Sequence, residues 1–424
     1  MKLLYTWLLL LGLGAALAAP RPAAALGPAR TQPAFDVAAA TQRYLDTLTP
    51  AQKARSDAYF EGGYWLELWE AVYAVGVAAV FLEAGLGRRV QWLVAGLPRR
   101  WLRTLAYLAL YLVLAWGLSL PLTIYQGFVR EHQYGLANQG FGAWLRDVLV
   151  GLGVSVLAGS LLLLGVYAAL RRTGRAGWLW ATGIVGAGLV VAVALGPVLI
   201  SPLFNAAKPL PAGPVRDGIL QLARANGVPA TNVYLVDASR QSTRISANVS
   251  GLGRTIRVSL NDNLLRRCSP AEIQAVMGHE LGHYVLNHIP KMLLAFAALI
   301  GLGFWLIDRA FHALVARYGR RWGIAGGLAD VAGLPLLAAL LAVATLLATP
   351  LTNTIIRTQE QEADMFGLNA ARQPAGFARV AMKLSEYRKI DPAPWEEILF
   401  FDHPSGRTRV HSAMQWQAWA APQP

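Results

Sequence analysis

Five or six apolar stretches of membrane-spanning length constrain what this chain can fold into. They lie near 66–86, 101–126, 147–170, 178–200, 291–308 and 332–353, and the fifth is the shortest. Hydrophobic residues make up 55% of the 424 and charged residues only 15%, more apolar content than a soluble chain of this length needs. Glu67, Glu70 and Glu83 in the first stretch are costly in lipid. They are expected to face a water-filled interior or to lie at its ends.

The formal charge of +14 comes from 38 Lys+Arg against 24 Asp+Glu. Many of the arginines stand in pairs beside apolar runs, which fits a topology signal better than a nucleic-acid surface. Loop 87–100 carries Arg88, Arg89, Arg99 and Arg100, loop 171–177 carries Arg171, Arg172 and Arg175, and loop 309–331 carries Arg309, Arg317, Arg320 and Arg321. Loop 127–146 has only Arg130 and Arg146. Positive residues stay in the cytoplasm, so the first three loops are placed inside. Counting spans then puts 201–290 and the C-terminal tail outside. Residues 1–19, with Lys2, an apolar run and Ala16-Leu17-Ala18, have the outline of a secretory signal or a first span. A cleaved signal gives the same orientation. Cys268 is the single cysteine, which excludes an intrachain disulfide and a thiolate metal site.

These features divide the chain into an exposed segment over 20–63, a region of about four spans over 64–200, a soluble α+β piece over 201–290, two spans over 291–353, and a tail over 354–424. Within the soluble piece, Pro214 to Asn226 reads as a helix stopped by Gly227 and Pro229. Val233 to Val236 reads as a strand. Ile245–Ser250 and Thr255–Leu260 read as a hairpin about Gly251-Leu252-Gly253, with Ile256, Val258 and Leu260 on one face.

The next helix holds the chemistry. Ser269 can cap it, Pro270 suits its first position, and Glu272 completes a capping box. It carries Gly278-His279-Glu280-Leu281-Gly282-His283, a His-Glu-x-x-His motif. Four residues apart on a helix, His279 and His283 share a face and can offer two imidazole nitrogens to one Zn²⁺. Glu280 lies where it can take a proton from water rather than bind the metal. A catalytic zinc needs a third protein ligand. On a straight helix His288 falls opposite His279, so the ligand is sought elsewhere. Glu360, beginning a polar helix after the last stretch, is the best candidate. Asp364 follows one turn later and can accept a hydrogen bond from a ligating imidazole. Glu362 points away and suits a base on the surface.

With these residues in place the chain resembles the type I CAAX prenyl proteases, the Ste24-like integral-membrane gluzincins of peptidase family M48. The resemblance also rests on Glu131-His132-Gln133-Tyr134-Gly135-Leu136, Asn138-Gln139, Pro202-Leu203-Phe204-Asn205, Glu360-Gln361-Glu362-Ala363-Asp364 and His403-Pro404-Ser405, in that order. It implies a mainly α, polytopic membrane protein with an inserted α+β gluzincin-type zinc peptidase domain. It implies one Zn²⁺ per subunit on His279, His283 and Glu360, with Glu280 as general base and Asp364 in support. His403 and Arg409 match a family His and Arg that act on the substrate or the tetrahedral intermediate, although Arg407 is equally suited on chemistry alone. Ser246-Ala247-Asn248 stands where the family often has Asn-Ala-aromatic, so Ser246 and Asn248 are the substrate-strand candidates.

The reaction expected is metal-assisted hydrolysis of a peptide, membrane-associated and bound along the Ile245–Ser250 edge, with lipid rather than nucleic acid as the other partner. An outward site differs from the cytosolic site of the eukaryotic enzymes and suggests a bacterial inner-membrane relative. Two other readings are an HtpX-like quality-control protease and a non-catalytic membrane protein with a structural zinc. A structural zinc usually has four protein ligands, often cysteines, and this chain offers three without one.

Overall fold

The computed structural model describes residues 35–250 and 256–420. The signal-like stretch 1–19 and the Gly251-Leu252-Gly253 turn lie outside the described residues.

The N-terminal part is a bundle of α1 (Val37–Leu45), α2 (Pro50–Leu82), α3 (Leu86–Val94), α4 (Arg100–Ile124), α5 (Phe141–Thr173) and α6 (Gly177–Leu195). A π-helical turn at Tyr125–Val129 carries α4 on to Gln133, and α6 runs on to Leu203. Among the described residues, six helices are long and apolar enough to cross a membrane: Pro50–Leu82, Arg100–Gln133, Phe141–Thr173, Gly177–Leu203, His288–Trp322 and Val331–Ala371. Each expected stretch maps onto one of them. Phe81, Tyr107, Leu108 and Tyr167 close the centre of the bundle. Outward, Leu157, Trp180, Leu294 and Leu347 are 67%, 58%, 75% and 76% exposed, a surface suited to acyl chains and not to water.

Over its described residues the segment 20–63 is largely exposed but helical. Residues 37–45 and 50–63 are helical, and Ala40 and Leu45 are buried in a cluster with Ala378, Val410 and Met414. Thr49 caps α2 in a capping box with Gln52, so the polar residues over 50–63 extend the first span instead of forming a loop.

The arginine-rich loops gather at one end of the bundle. Arg88 Nη1 donates to the Arg321 carbonyl at 3.1 Å, and Arg171 Nε donates to the Ala329 carbonyl at 3.3 Å. Glu83 pairs with Arg321 at this end, as an acid at the end of a span should. Elsewhere on α2, Glu70 accepts from Gln126 Nε2 at 3.1 Å.

Among the described residues four strands form one sheet in the order β1-β2-β4-β3: β1 (Ala207–Pro209), β2 (Val233–Val236), β3 (Ala247–Ser250) and β4 (Arg257–Asn261). β2 and β4 run parallel, whereas β1–β2 and β3–β4 are antiparallel, so the expected hairpin is present and β3 is an edge. Val258 and Leu260 bury one face of β4 against Ile219 of α7 (Pro214–Ala225) and against Met277 and Leu281 of the motif helix. Ser259 and Asn261 on the other face are also buried, and Asn261 Oδ1 caps α8 (Asp262–Arg267) by accepting from Leu264 N at 2.9 Å. The bundle is tied to this sheet by Glu131, which accepts from Tyr59 Oη at 2.6 Å and from Arg244 Nη2 at 2.7 Å.

The rest is α9 (Pro270–Val285), α10 (His288–Trp322), α11 (Leu334–Ala371), α12 (Pro374–Leu384), α13 (Pro394–Phe400) and α14 (Gly406–Ala420). α11 is a single helix of 38 residues. It passes through Pro350 without stopping, so the polar residues after the last span continue the same helix and do not begin a new one.

Candidate active site

The cap signature of α9 forms as the sequence requires. Glu272 Oε2 accepts from Ser269 N at 2.7 Å, and Lys383 Nζ and Arg379 Nε hold the same carboxylate at 2.8 and 3.2 Å. α9 then crosses α11 with the two backbones nearly touching. A Cβ on Gly367 would sit 2.7 Å from His279 N, and one on Gly278 would sit 3.0 Å from the Gly367 carbonyl oxygen. Glycine is needed at this crossing because only a residue without Cβ permits it. The approach brings Glu360 and Asp364 of α11 up to the motif histidines.

His279, His283 and Glu360 each turn one donor atom inward, and these atoms lie within 4.8 Å of one another. Glu360 Oε2 is 3.2 Å from His279 Nε2, and Oε1 is 3.4 Å from His283 Nε2. Glu360 Oε2 is buried and has no aligned hydrogen-bond partner among the described residues. An orphaned carboxylate oxygen facing two imidazole nitrogens is a donor set that fits a divalent metal. On its far side His279 Nδ1 is 2.8 Å from Asp364 Oδ1. Arg409 holds both oxygens of Asp364, with Nε donating to Oδ2 at 2.8 Å and Nη2 to Oδ1. Burial opposes the charge on His279, but the neighbouring Asp364 and Glu360 carboxylates outweigh it and raise the imidazole to about 10.

Glu280 stands outside this cluster and faces a cavity of about 230 Å³, which Ser246, Ala247, His279, His403 and Arg409 also line. Burial pushes the Glu280 carboxyl up to about 7, near the value that suits a proton acceptor at neutral pH. His403 Nε2 lies 3.2 Å from Glu360 Oε2, and its Nδ1 lies 2.8 Å from Asp402 Oδ1. Of the two candidate arginines, Arg407 is bound to Asp391 at 2.6 and 2.8 Å, and Arg409 is the one beside the cluster. Ser246 lines this cavity and also a second one, with Pro197 and Arg257, which is the one that Asn248 lines.

The family model of Peptidase family M48 matches residues 209–417, and that of the CAAX prenyl protease N-terminal region, described as five membrane helices, matches 37–206. The chain belongs to peptidase family M48. It is 29% identical to an uncharacterized metalloprotease, YhfN, of Bacillus subtilis (strain 168) over 79% of each chain. It is 29% identical to a CAAX prenyl protease 1 homolog of Oryza sativa subsp. japonica over 72% of this chain and 71% of that one. It is also 31% identical to CAAX prenyl protease 1 of Saccharomyces cerevisiae over 45% of this chain and 43% of that one. The fold resembles the crystal structure of S. mikatae Ste24p, with a TM-score of 0.73, 22% identity, and coverage of 89% of this chain and 95% of that one. This M48 chain is an integral, multi-pass membrane metalloendopeptidase, similar to the CAAX prenyl proteases.

Two neighbours of the M48 site escape the sequence. His288 is not opposite the motif, because the helix breaks at Asn287, which takes a left-handed φ of 57°. The break swings His288 Nδ1 to 2.9 Å from His283 Nδ1, and His288 Nε2 to 3.1 Å from Glu362 Oε2. Asn287 was the available signal, since asparagine tolerates that conformation and often ends helices. Asp402 beside His403 carried no signal of its own. Glu362 meets Lys291 Nζ at 3.4 Å, the basic partner expected for it.

Proposed function

We propose that this peptidase uses a single zinc held by His279 and His283 through their Nε2 atoms and by Glu360. The observation that carries this assignment is the convergence of one donor atom from each of His279, His283 and Glu360, all within 4.8 Å of one another. Asp364 and Arg409 act as positioning residues, fixing His279 with Nε2 toward the ion. When bound, the zinc supplies Lewis acidity to the scissile carbonyl and to water. Glu280 then takes the proton from water and returns it to the leaving amine. His403 faces the developing oxyanion, and Arg409, although committed to Asp364, adds positive charge at the cavity wall. The substrate peptide adds to the edge of β3, next to Ser246, and needs no prenyl group. It comes from a membrane-associated protein. The site lies on the extracytoplasmic side of a bacterial inner membrane. Support for this orientation comes from the three arginine-rich loops, which contact one another at one bundle end, while the Glu131 end joins the peptidase sheet.

The test compares metal content and hydrolysis of quenched peptides by purified wild type and Glu280→Gln. The expected result is about one zinc in both and a rate lower by about 10²–10⁴-fold in the variant. Full activity in zinc-loaded Glu280→Gln would remove Glu280 from its role, and no metal in either protein would remove the ligand assignment.

A further inference from the structure

Around the site nearly every charged side chain is already spoken for. Arg409 is bound to Asp364, Arg407 to Asp391, Arg244 to Glu131, and Lys389 to both Glu61 and Glu396. Besides Glu280, Arg388 stands apart: it makes no hydrogen bond or ion pair among the described residues, and its Nη1 is buried without a partner. It is not a loosely hanging surface residue. On one side Tyr387 packs under the Arg244 guanidinium, 5.2 Å from its ring, and on the other Lys389 Nζ is 2.8 Å from Glu396 Oε1. Ile390 is buried, and its carbonyl accepts from Arg407 N at 2.8 Å. The segment is pinned on both sides of Arg388.

Arg388 lines the same cavity as Glu280, His279 and His403. Leu264, Val276, Phe377 and Leu384 give that cavity an apolar stretch of wall. The charges acting on Arg388 are Arg409, which repels it, and Asp402 and Glu360, which attract it. Both carboxylates have other duties, Asp402 at His403 Nδ1 and Glu360 at the metal cluster. A desolvated guanidinium is costly to keep unless an anion completes it. Its planar fork fits a carboxylate.

We infer that Arg388 binds a carboxylate of the peptide substrate and so selects substrates carrying one a short distance from the scissile bond, with the apolar wall taking the adjoining side chain. The carboxylate is either the free C-terminus of the chain or an Asp or Glu side chain. This rests on the peptidase reading above.

The experiment uses the full-length protein in detergent with two peptide pairs: an apolar quenched peptide with a free-acid or amidated C-terminus, and the amidated peptide with Asp or Asn moved along its length. For wild type, one pair should show a kcat/KM ratio of about 10–100 in favour of the carboxylate, and the pair that shows it identifies the source. The ratio should fall to about 1 in Arg388→Met and stay intermediate in Arg388→Lys, which keeps the charge but not the fork. The same labelled peptides are also titrated onto zinc-loaded Glu280→Gln, with and without Arg388→Met, and read by anisotropy. This arm reports carboxylate preference without turnover, so loss of the peptidase reading and loss of this one are told apart. Equal kcat/KM and equal binding for both members of both pairs in the Arg388 proteins would overturn the inference even if Arg388→Met does not fold. So would a preference that survives in a folded Arg388→Met.

Discussion

His288 Nδ1 lies 2.9 Å from His283 Nδ1, and behind it His288 Nε2 lies 3.1 Å from Glu362 Oε2. With His283 Nε2 turned to the cluster, the consistent proton assignment has His283 Nδ1–H donating to His288 and His288 Nε2–H donating to Glu362. The relay fixes the tautomer of His283 as Asp364 fixes that of His279. Replacing His288 by Ala should weaken metal affinity by about 10–100-fold, read by competition with a chromogenic chelator. Glu362→Gln should cost less, because its carboxylate is exposed and also shared with Lys291.

Arg409 and Asp364 are both buried, so removing one partner strands the other's charge. Arg409→Met should destabilise the protein by about 3–5 kcal/mol. Asp364→Asn combined with Arg409→Met should recover much of that loss while remaining poorly active. Thermal unfolding with excess chelator in every sample separates this effect from metal binding. A double-variant loss equal to the sum of the losses of Arg409→Met and Asp364→Asn alone would show that the pair is not coupled.

The α9–α11 crossing leaves no room for a methyl group at Gly367. Gly367→Ala should cost about 1–3 kcal/mol through forced separation of the helices. It should also lower metal occupancy after dialysis, since His279 and Glu360 sit on opposite sides of the crossing. A stable Gly367→Ala protein with full occupancy would show that the helices can slide apart harmlessly.

Glu272 gives stability a pH dependence whose sign is fixed. Burial alone would raise its carboxyl, but hydrogen bonds from Lys383 and the Ser269 backbone hold it below the ordinary glutamate value. A depressed carboxyl contributes stability that is present above about pH 4.3 and is lost as the pH falls through the lowered value. Glu272→Gln should therefore be less stable than wild type by roughly 1.5–3 kcal/mol at pH 7, and the gap should close below about pH 4. Unfolding curves of both proteins from pH 7 to pH 3 test this; a gap independent of pH would exclude the charge as its cause.

Features governed by local rules were legible before the structure. The apolar stretches marked the six long helices, and Ser269, Pro270 and Glu272 marked the start of α9. The same cap signature at Thr49, Pro50 and Gln52 was equally readable, and it marks the start of α2 inside the segment read as exposed. Over 50–63 the helix keeps much of that exposure, with Ser56 buried and Tyr59 bonded to Glu131 at 2.6 Å. Glu360 and Asp364 were found from helical spacing, which the continuous α11 preserves. His288 was not, because one left-handed residue resets the angle that spacing arithmetic assumes. Arg388 and Asp402 lie outside regular helix and strand, and their placement follows from tertiary packing alone.

The unbroken run of α11 past Pro350 to Glu360 puts bilayer and chemistry on one helical register. Between them, insertions and deletions are not interchangeable. One extra residue would turn Glu360 by about 100° away from the histidines, whereas a full turn of about four would restore its face but lift it about 6 Å. Length variation in this span should therefore accumulate toward the Gly333 end, beyond Pro350, where added turns displace lipid contacts and leave the carboxylate where it is.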